Sequence, residues 1–332
     1  MTKVYLNSQK KKVLCLGIAN ADTYAKPIDK IPKWNTLETF SDLKFYPGGC
    51  AINAAINIKS LGMCSGVAAA VGQDIHGKYI IDQLKKKKIN TNNIVLKKTN
   101  TAYTFAMISS TGKRRYLTNW GANDFFTADD VNYENLKSYD LIHLCGTFAM
   151  KLFDGKETTK VLKNLKKNNL LISLDTIYND KVNCLSLIES AFPYLDVFFP
   201  SYEELNLITG QSSIKKNIDF LKSTKIPIVG IKMGKEGSVF ISYNKAYLCK
   251  PFKVPVTDTS GAGDAFMSGL IYSILHQMNA KDSLIFATAC AAYNIQSMGA
   301  AGNVPRASII KGYIKKNLNT SAKLSNFIRN IN

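Results

Sequence analysis

The sequence is poor in residues that commonly bind metal ions in fixed clusters. Only three histidines occur among 332 residues, at His76, His143 and His276, and none has the spacing of a metal ligand pair. The seven cysteines form no C-x-x-C pair, and most of them lie within apolar runs. The pattern gives no support for a zinc site and favours reduced cysteines in the core of a cytoplasmic protein.

Long hydrophobic runs are also absent. No stretch approaches the ~20 apolar residues that a membrane-spanning helix needs. Residues 10–21 imitate a secretion signal, because three lysines precede a short apolar run and a small-residue stretch. Since that run is at the lower length limit for a signal, residues 13–18 are predicted to form a buried first β-strand. We expect a cytoplasmic protein without a membrane partner.

Acidic residues are few compared with basic ones. The chain has 24 Asp and Glu against 43 Lys and Arg, a formal net charge of +19. Nucleic acids, membrane surfaces and small polyanions are the partners that such a charge allows. The lysines are spread widely, and clusters such as Lys85–Lys88 fall at the ends of helical patterns, where cations suit the helix dipole. We therefore expect solvated helix faces and no nucleic-acid partner, with a field that attracts ATP.

Two common nucleotide-binding motifs are missing as well. The chain contains no G-x-x-x-x-G-K-[ST] sequence, which disfavours a P-loop kinase. It also contains no G-x-G-x-x-G after a predicted strand, which disfavours a Rossmann dehydrogenase.

The strongest positive signal is the stretch Thr257–Gly269. Within it, Gly261, Ala262 and Gly263 lie at the start of a long apolar helical pattern. Glycines permit close backbone approach, and the free N–H groups and dipole of a helix start bind anions. Asp264, in the first turn, is placed to accept the proton of an attacking hydroxyl, and the dipole predicts that it is ionised at neutral pH. The alternative is a tightly packed turn with Asp264 as a helix cap.

The order of predicted elements indicates an α/β fold. From residue 140 onward strands alternate with helices, as in a parallel sheet of βαβ units. Residues 36–46, 103–109 and 113–119 predict a small separate sheet. The predicted α/β core comprises residues 1–22, 48–97 and 123–332, and the predicted small sheet comprises residues 23–47 and 98–122.

The stretch Asp258–Asp264 closely resembles the D-T-x-G-A-G-D signature of the ribokinase/PfkB family of carbohydrate kinases. Family motifs occur in the same order elsewhere, including G-G-x-x-x-N at Gly48–Asn53 and a G-A-x-x-x-x-P loop at Gly299–Pro305. The resemblance implies a ribokinase-like three-layer α/β/α core with a mostly parallel sheet and a small β lid. It also implies phosphorylation of a small sugar with ATP as co-substrate and Mg²⁺ as cofactor. Exposed lid edges suggest a homodimer paired through the lids.

The resemblance also implies which residues form the site. The catalytic positions are Asp264 and the anion hole at Gly261, Ala262 and Gly263. The sugar-binding positions are Asn20, Asp22, Gly48, Gly49 and Asn53. The nucleotide-binding positions are Ser201, Lys232, Gly234, Gly237 and Thr288, although Ser201 stands where the family has Asn. Glu204 is implied to organise Mg²⁺ through its waters, and Asp258 to help hold a monovalent cation such as K⁺.

The substrate remains open among three classes. A neutral sugar fits the hydrogen-bonding groups of Asn20, Asp22 and Asn53 best. An acidic sugar needs an arginine for its carboxylate, and the predicted hairpin offers Arg114 and Arg115.

A nucleoside is the third class, with Tyr103 or Phe105 of the lid stacking on its base. A protein of another class, a non-catalytic sugar sensor, would use the same fold, because fold alone does not imply activity. The intact Gly261–Asp264 stretch favours the enzyme.

Overall fold

The computed structural model describes residues 10–242, 245–317 and 324–326. The strands are β1 Lys12–Gly17, β2 Asn20–Lys26, β3 Asp42–Gly48, β4 Cys64–Gly72, β5 Asn90–Lys97, β6 Ala102–Ile108, β7 Arg114–Asn119, β8 Leu141–Thr147, β9 Leu171–Thr176, β10 Val197–Phe198, β11 Ile228–Lys232, β12 Ser238–Ser242, β13 Lys245–Cys249 and β14 Leu324–Asn326. The α-helices are α1 Cys50–Ser60, α2 Ile75–Lys86, α3 Tyr133–Leu136, α4 Lys156–Lys166, α5 Cys184–Ile188, α6 Tyr202–Thr209, α7 Ile214–Ser223, α8 Ala262–Leu275, α9 Ala280–Asn294 and α10 Ala307–Asn317.

Ten of these strands form one large sheet in the order β14-β13-β12-β11-β10-β9-β8-β1-β4-β5. The pairings from β11 to β5 are all parallel, whereas β12, β13 and β14 add antiparallel pairs at the other edge. Two apolar clusters lie on opposite faces of this sheet. Along β1, for example, Val13 and Cys15 pack into one cluster, and Leu14 and Leu16 pack into the other. The predicted three-layer core with a mostly parallel sheet is confirmed.

The strand order reverses next to β1. From β1 the chain continues, beyond the small sheet, to β4 and β5 on one side, and it later returns to β8, β9, β10 and β11 on the other side. Ligands of open α/β sheets bind beyond the carboxyl ends of the strands at such a reversal. The ends of β1, β8 and β9 therefore mark the expected position of the site.

The small sheet has the strand order β3-β2-β6-β7. The first part of the small sheet runs from Asn20, where β2 begins, to Gly48, where β3 ends, and the second part ends at Asn119. The first part therefore starts earlier than the predicted range 23–47. Asn20 and Asp22 are the first and third residues of β2. The expected strand at residues 36–46 begins only at Asp42, because the preceding residues form no ladder.

The pairing register decides which lid side chains face the core. Asp22 pairs with Thr104 on β6, and Thr104 pairs with Thr118 on β7, so these three side chains share one face. Tyr103 and Phe105 occupy the opposite face, since side chains alternate along a strand. Stacking of these two rings on a nucleoside base stays a prediction, and it would require the base to reach the face opposite Asp22.

Asp74 is the N-cap of α2, and its side chain accepts a hydrogen bond from Gly77 N at 2.8 Å. All seven cysteines are free. Among the residues described, no helix combines the length and apolar character needed to cross a membrane.

Candidate active site

The start of helix α8 presents backbone N–H groups near the carboxyl ends of the parallel strands. Gly261 precedes the helix in the left-handed conformation, with φ 69°, and a Cβ there would overlap the carbonyl oxygen of Ala300. No side chain in the described part of the chain caps this helix start. The N–H group of Ala262 donates to Thr259 O at 3.3 Å, and the next N–H groups are available to a ligand. A Cβ at Gly263 would meet only the Nζ atom of Lys232, at 3.5 Å. The turn thus has the form of an anion hole with a cation beside it.

Asp264 lies in the first turn of α8 and is only 7% exposed. Its Oδ2 atom accepts a hydrogen bond from Asn53 Nδ2 at 2.9 Å. Burial raises the pKa of Asp264 to about 7, and the charge of Asp175 adds to this, while Asn53 and Lys232 oppose it. Desolvation thus opposes the helix dipole, which is expected to favour the ionised form of Asp264. A pKa near 7 suits a group that exchanges a proton with a hydroxyl.

Asp22 and Asn53 carry the clearest signs of a missing ligand. The Oδ1 atoms of both side chains are buried and have no hydrogen-bond partner among the described residues. A Cβ at Gly48 would overlap the Asp22 carboxylate, so the glycine lets this carboxylate lie against the backbone. Burial raises the pKa of Asp22 to about 7, against the opposing hydrogen bond from Thr104. Buried acceptors without partners are costly unless a ligand donates to them.

Asn20 and Gly49 support these residues. Asn20 accepts a hydrogen bond from Asn123 Nδ2 at 2.9 Å and donates to Thr104 Oγ1 at 3.4 Å, so its amide is engaged within the protein. Gly49 precedes α1 with φ 87°, and a Cβ there would press on the carbonyl of Ile18. The structure therefore brings together all five predicted sugar-binding positions, with Asn20 behind Asp22.

A buried ion pair lies beneath the anion hole. Lys232, at the end of β11, donates to Asp175 Oδ1 at 2.5 Å, and Asp175 lies near the end of β9. Burial alone would lower the pKa of Lys232, but the carboxylates of Asp175 and Glu204 raise it above its ordinary value. A permanent positive charge therefore stands close to Gly263, where it would attract phosphate oxygens.

Glu204 forms a capping box with Ser201 at the start of α6. Glu204 Oε2 accepts from Ser201 N at 2.8 Å, and Ser201 Oγ accepts from Glu204 N at 3.2 Å. Thr176 Oγ1 donates to the same carboxylate at 2.9 Å. Burial raises the pKa of Glu204, with the charge of Lys232 opposing it. Ser201, which stands where the family has asparagine, thus stabilises the start of α6 in this protein.

The remaining predicted nucleotide positions differ in their surroundings. Gly234 has φ 51° and no atom of the described residues within 4 Å of an added Cβ. At Gly237 a Cβ would overlap the carbonyl oxygen of Cys249, so this glycine is required by packing. The Thr288 hydroxyl donates to the backbone carbonyl one turn earlier at 2.7 Å and lies 3.0 Å from Ser238 Oγ. Nucleotide contacts at these positions stay predictions.

Asp258 is engaged on both carboxylate oxygens. Its Oδ1 accepts from Ser260 N at 2.7 Å and pairs with the Arg114 guanidinium, and its Oδ2 accepts from Gly299 N at 2.9 Å. Burial would raise the pKa of Asp258, but these hydrogen bonds and the arginine charge lower it. Arg115 follows on the opposite face of β7 and is exposed. Of the two arginines considered for an acidic sugar, one therefore binds Asp258 and the other faces away.

The ion pairs between site residues were not predicted from the sequence. The Arg114–Asp258 pair joins residues 144 positions apart, and the Lys232–Asp175 pair joins residues 57 positions apart, so no local pattern announces either pair. Asn123 could have been found. It follows Gly121 and Ala122, directly after the small sheet, and it orients Asn20.

Comparisons with known proteins identify similar sequences. The model of the pfkB family carbohydrate kinases matches residues 10–307. The 5-dehydro-2-deoxygluconokinase of Clostridium beijerinckii is 29% identical over 296 residues, which cover 84% of this chain and 87% of that protein.

Solved structures show the same fold. Arabidopsis thaliana ribokinase complexed with ribose and ATP superposes with a TM-score of 0.80 at 21% identity, covering 92% of this chain and 99% of that one. A provisionally assigned ribokinase II from E. coli, in complex with ATP and Mg²⁺, superposes with a TM-score of 0.80 at 21% identity and the same coverage. The ribokinase-like fold is therefore confirmed.

Proposed function

The chain belongs to the pfkB family of carbohydrate kinases, and we propose that it transfers the γ-phosphoryl group of ATP to a hydroxyl of a small sugar. The observation that carries this proposal is the position of Asp264. Asp264 has a pKa of about 7 and accepts a hydrogen bond from Asn53. It lies in the first turn of a helix whose start no described side chain caps, beside Lys232. One helix start would then hold both the transferred phosphoryl group and the base that activates the attacking hydroxyl.

The sugar would bind between the lid and α1. The unpartnered Oδ1 atoms of Asp22 and Asn53 are hydrogen-bond acceptors that sugar hydroxyls satisfy. Since Asn53 also donates to Asp264, the residue that recognises the sugar orients the base as well. This arrangement supports phosphorylation of a hydroxyl held close to Asp264.

ATP would approach from the loops beyond β11, with its phosphates at the start of α8. Lys232 supplies positive charge there, and Gly234 leaves room for a ligand at the turn. Mg²⁺ typically keeps several waters and binds through one or two carboxylates and substrate phosphates, which suits Glu204 and Asp175. The described residues contain no cluster of three or more His, Cys, Asp or Glu that would hold a metal without the nucleotide. When bound, Mg²⁺ neutralises charge on the phosphates.

The first substrates to test are keto-sugar acids of the gluconate type, because the Clostridium relative is named a 5-dehydro-2-deoxygluconokinase. Neutral sugars are the alternative, supported by the engagement of Arg114 with Asp258 and the outward position of Arg115. We further infer a cytoplasmic location, supported by the seven free cysteines, and a homodimer paired through the lids.

The test is a panel of neutral sugars, sugar acids and nucleosides, with ADP release as the readout. We expect one sugar or sugar acid to stimulate ADP release well above the rate with ATP alone. A protein that binds a sugar in calorimetry but releases no ADP would instead be a sensor. Stimulation by nucleosides only would overturn the sugar assignment.

A further inference from the structure

We propose that Arg114 is the resident cation of the turn before α8, and that the protein therefore needs no monovalent metal ion at Asp258. Arg114 belongs to the lid strand β7, whereas Asp258 and Ser260 lie in the turn that leads into Gly261. Of the measurements that test this proposal, only the turnover measurements rest on the proposed kinase function.

The carboxylate of Asp258 does not fit a metal ion in this protein. Two backbone N–H groups, from Ser260 and Gly299, and one guanidinium already donate to its two oxygens. A metal ion placed there would have to displace Arg114, which also donates to Ser260 Oγ at 3.0 Å. The side chain of Asp258 is fully buried, and that of Arg114 is only 13% exposed.

The carbonyl groups that surround Asp258 are engaged as well. Alkali and alkaline-earth cations take oxygen ligands, chiefly carboxylates, carbonyls and water. Here Ser260 O accepts from Asn294 Nδ2 at 2.8 Å, and Gly299 O accepts from Asn303 Nδ2 at 2.9 Å. Each of these carbonyls thus already accepts from an asparagine amide, which leaves fewer free oxygen lone pairs beside Asp258 for a metal ion. The expectation of K⁺ at this position does not fit these contacts.

An arginine suits this position because its charge is permanent and its planar head donates in several directions at once. Arg114 bridges Asp258 and the hydroxyl of Ser260, two residues of the same turn. Asp258 in turn binds Gly299, next to the Ala300 carbonyl against which Gly261 packs. Arg114 therefore acts as a positioning residue that ties the lid to the shape of the anion hole.

The experiment compares Arg114→Ala with the control Arg115→Ala, which removes the same charge from the next, exposed position. Turnover and thermal unfolding are measured in potassium chloride and in choline chloride at equal ionic strength. The wild-type protein and Arg115→Ala should be indifferent to the cation. Arg114→Ala should lose turnover on the order of 10²-fold, because the anion hole is misplaced, and should unfold at a lower temperature, because Asp258 loses its partner.

Millimolar guanidinium should restore part of the turnover of Arg114→Ala, and K⁺ should not. The conservative Arg114→Lys keeps the charge without the planar head and should fall between the wild type and Arg114→Ala. A several-fold increase in wild-type turnover or a higher unfolding temperature in K⁺ would overturn the proposal. So would an Arg114→Ala protein that matches Arg115→Ala. If no sugar stimulates ADP release, the kinase proposal fails, while the unfolding temperatures still decide the role of Arg114.

Discussion

At the scale of single residues, two buried carboxylates have pKa values near neutrality for the same physical reason. Asp22 and Asp264 are both desolvated, and the hydrogen bonds from Thr104 and Asn53 only partly offset that. A sugar hydroxyl that donates to either carboxylate favours its ionised form. Substrate binding and deprotonation of the site should therefore be coupled.

This coupling predicts the pH dependence of kcat/KM. Asp264 must be ionised to accept a proton, and its pKa of about 7 means that acid converts it to the inactive carboxylic acid. Well below pH 7, kcat/KM should fall at least about tenfold for each pH unit. Steady-state kinetics between pH 5 and 9, with a stability check at each pH, measures this. A flat profile down to pH 5 would contradict the assignment.

Glu204 offers a second test at the residue scale. Glu204→Gln replaces the carboxylate with an amide and so removes the negative charge. The amide oxygen can still accept a hydrogen bond at the helix start, because Gln also forms capping boxes. We expect an unfolding temperature close to that of the wild type, reduced turnover, and a higher Mg²⁺ concentration for half-maximal activity. Titration of Mg²⁺ with both proteins gives the comparison. Unchanged activity at every Mg²⁺ concentration would remove Glu204 from the metal site.

At the scale of elements, the turn before α8 depends more on Gly261 than on Gly263. Gly261→Ala forces a left-handed residue to carry a Cβ against the Ala300 carbonyl, whereas Gly263→Ala meets only Lys232 Nζ at 3.5 Å. We expect Gly261→Ala to destabilise the fold by on the order of 2–4 kcal/mol. Gly263→Ala should be nearly neutral for stability. Denaturant unfolding distinguishes them, and equal stabilities of the two variants would refute this account.

The elements that local patterns predicted well are those with strong periodicity. The buried strand β1, the hairpin of β6 and β7, and helix α8 follow directly from apolar runs, alternation and the glycine turn. Strand β2, which includes Asn20 and Asp22, was not predicted, because a strand that starts with polar residues pairs only through tertiary contacts with β3 and β6. Strand β5, with three asparagines in eight residues, was missed for a similar reason.

The sequence predicts which residues form the site, but not which of them contact each other. Motif order pointed to Asp264, Asn53 and Asp22, and the structure brings them together. The pKa of Asp264 depends on burial and on Asp175, neither of which a linear motif contains. The partner of Asp258 likewise depends on how the lid folds onto the core.

At the scale of the whole molecule, the outer face of the lid is apolar and exposed. Leu43, Phe45 and Leu117 lie on that face and are 44–63% exposed. We expect light scattering to give twice the mass of the chain at micromolar concentration, because pairing two lids would bury this surface. The double variant Leu43→Asp with Leu117→Asp should be monomeric, and Ile309→Asp on α10 should remain dimeric. A monomeric wild-type protein would contradict the lid-paired dimer.

The most direct test of the whole account is the kinetics of Asp264→Asn, measured beside calorimetric binding of the active sugar and of ATP. The substitution keeps the shape of the side chain and removes the proton acceptor. We predict a fall in kcat on the order of 10³-fold with nearly unchanged affinities. The comparison variant Asp22→Asn should chiefly raise KM for the sugar. An Asp264→Asn protein that keeps a kcat close to that of the wild type would contradict the mechanism.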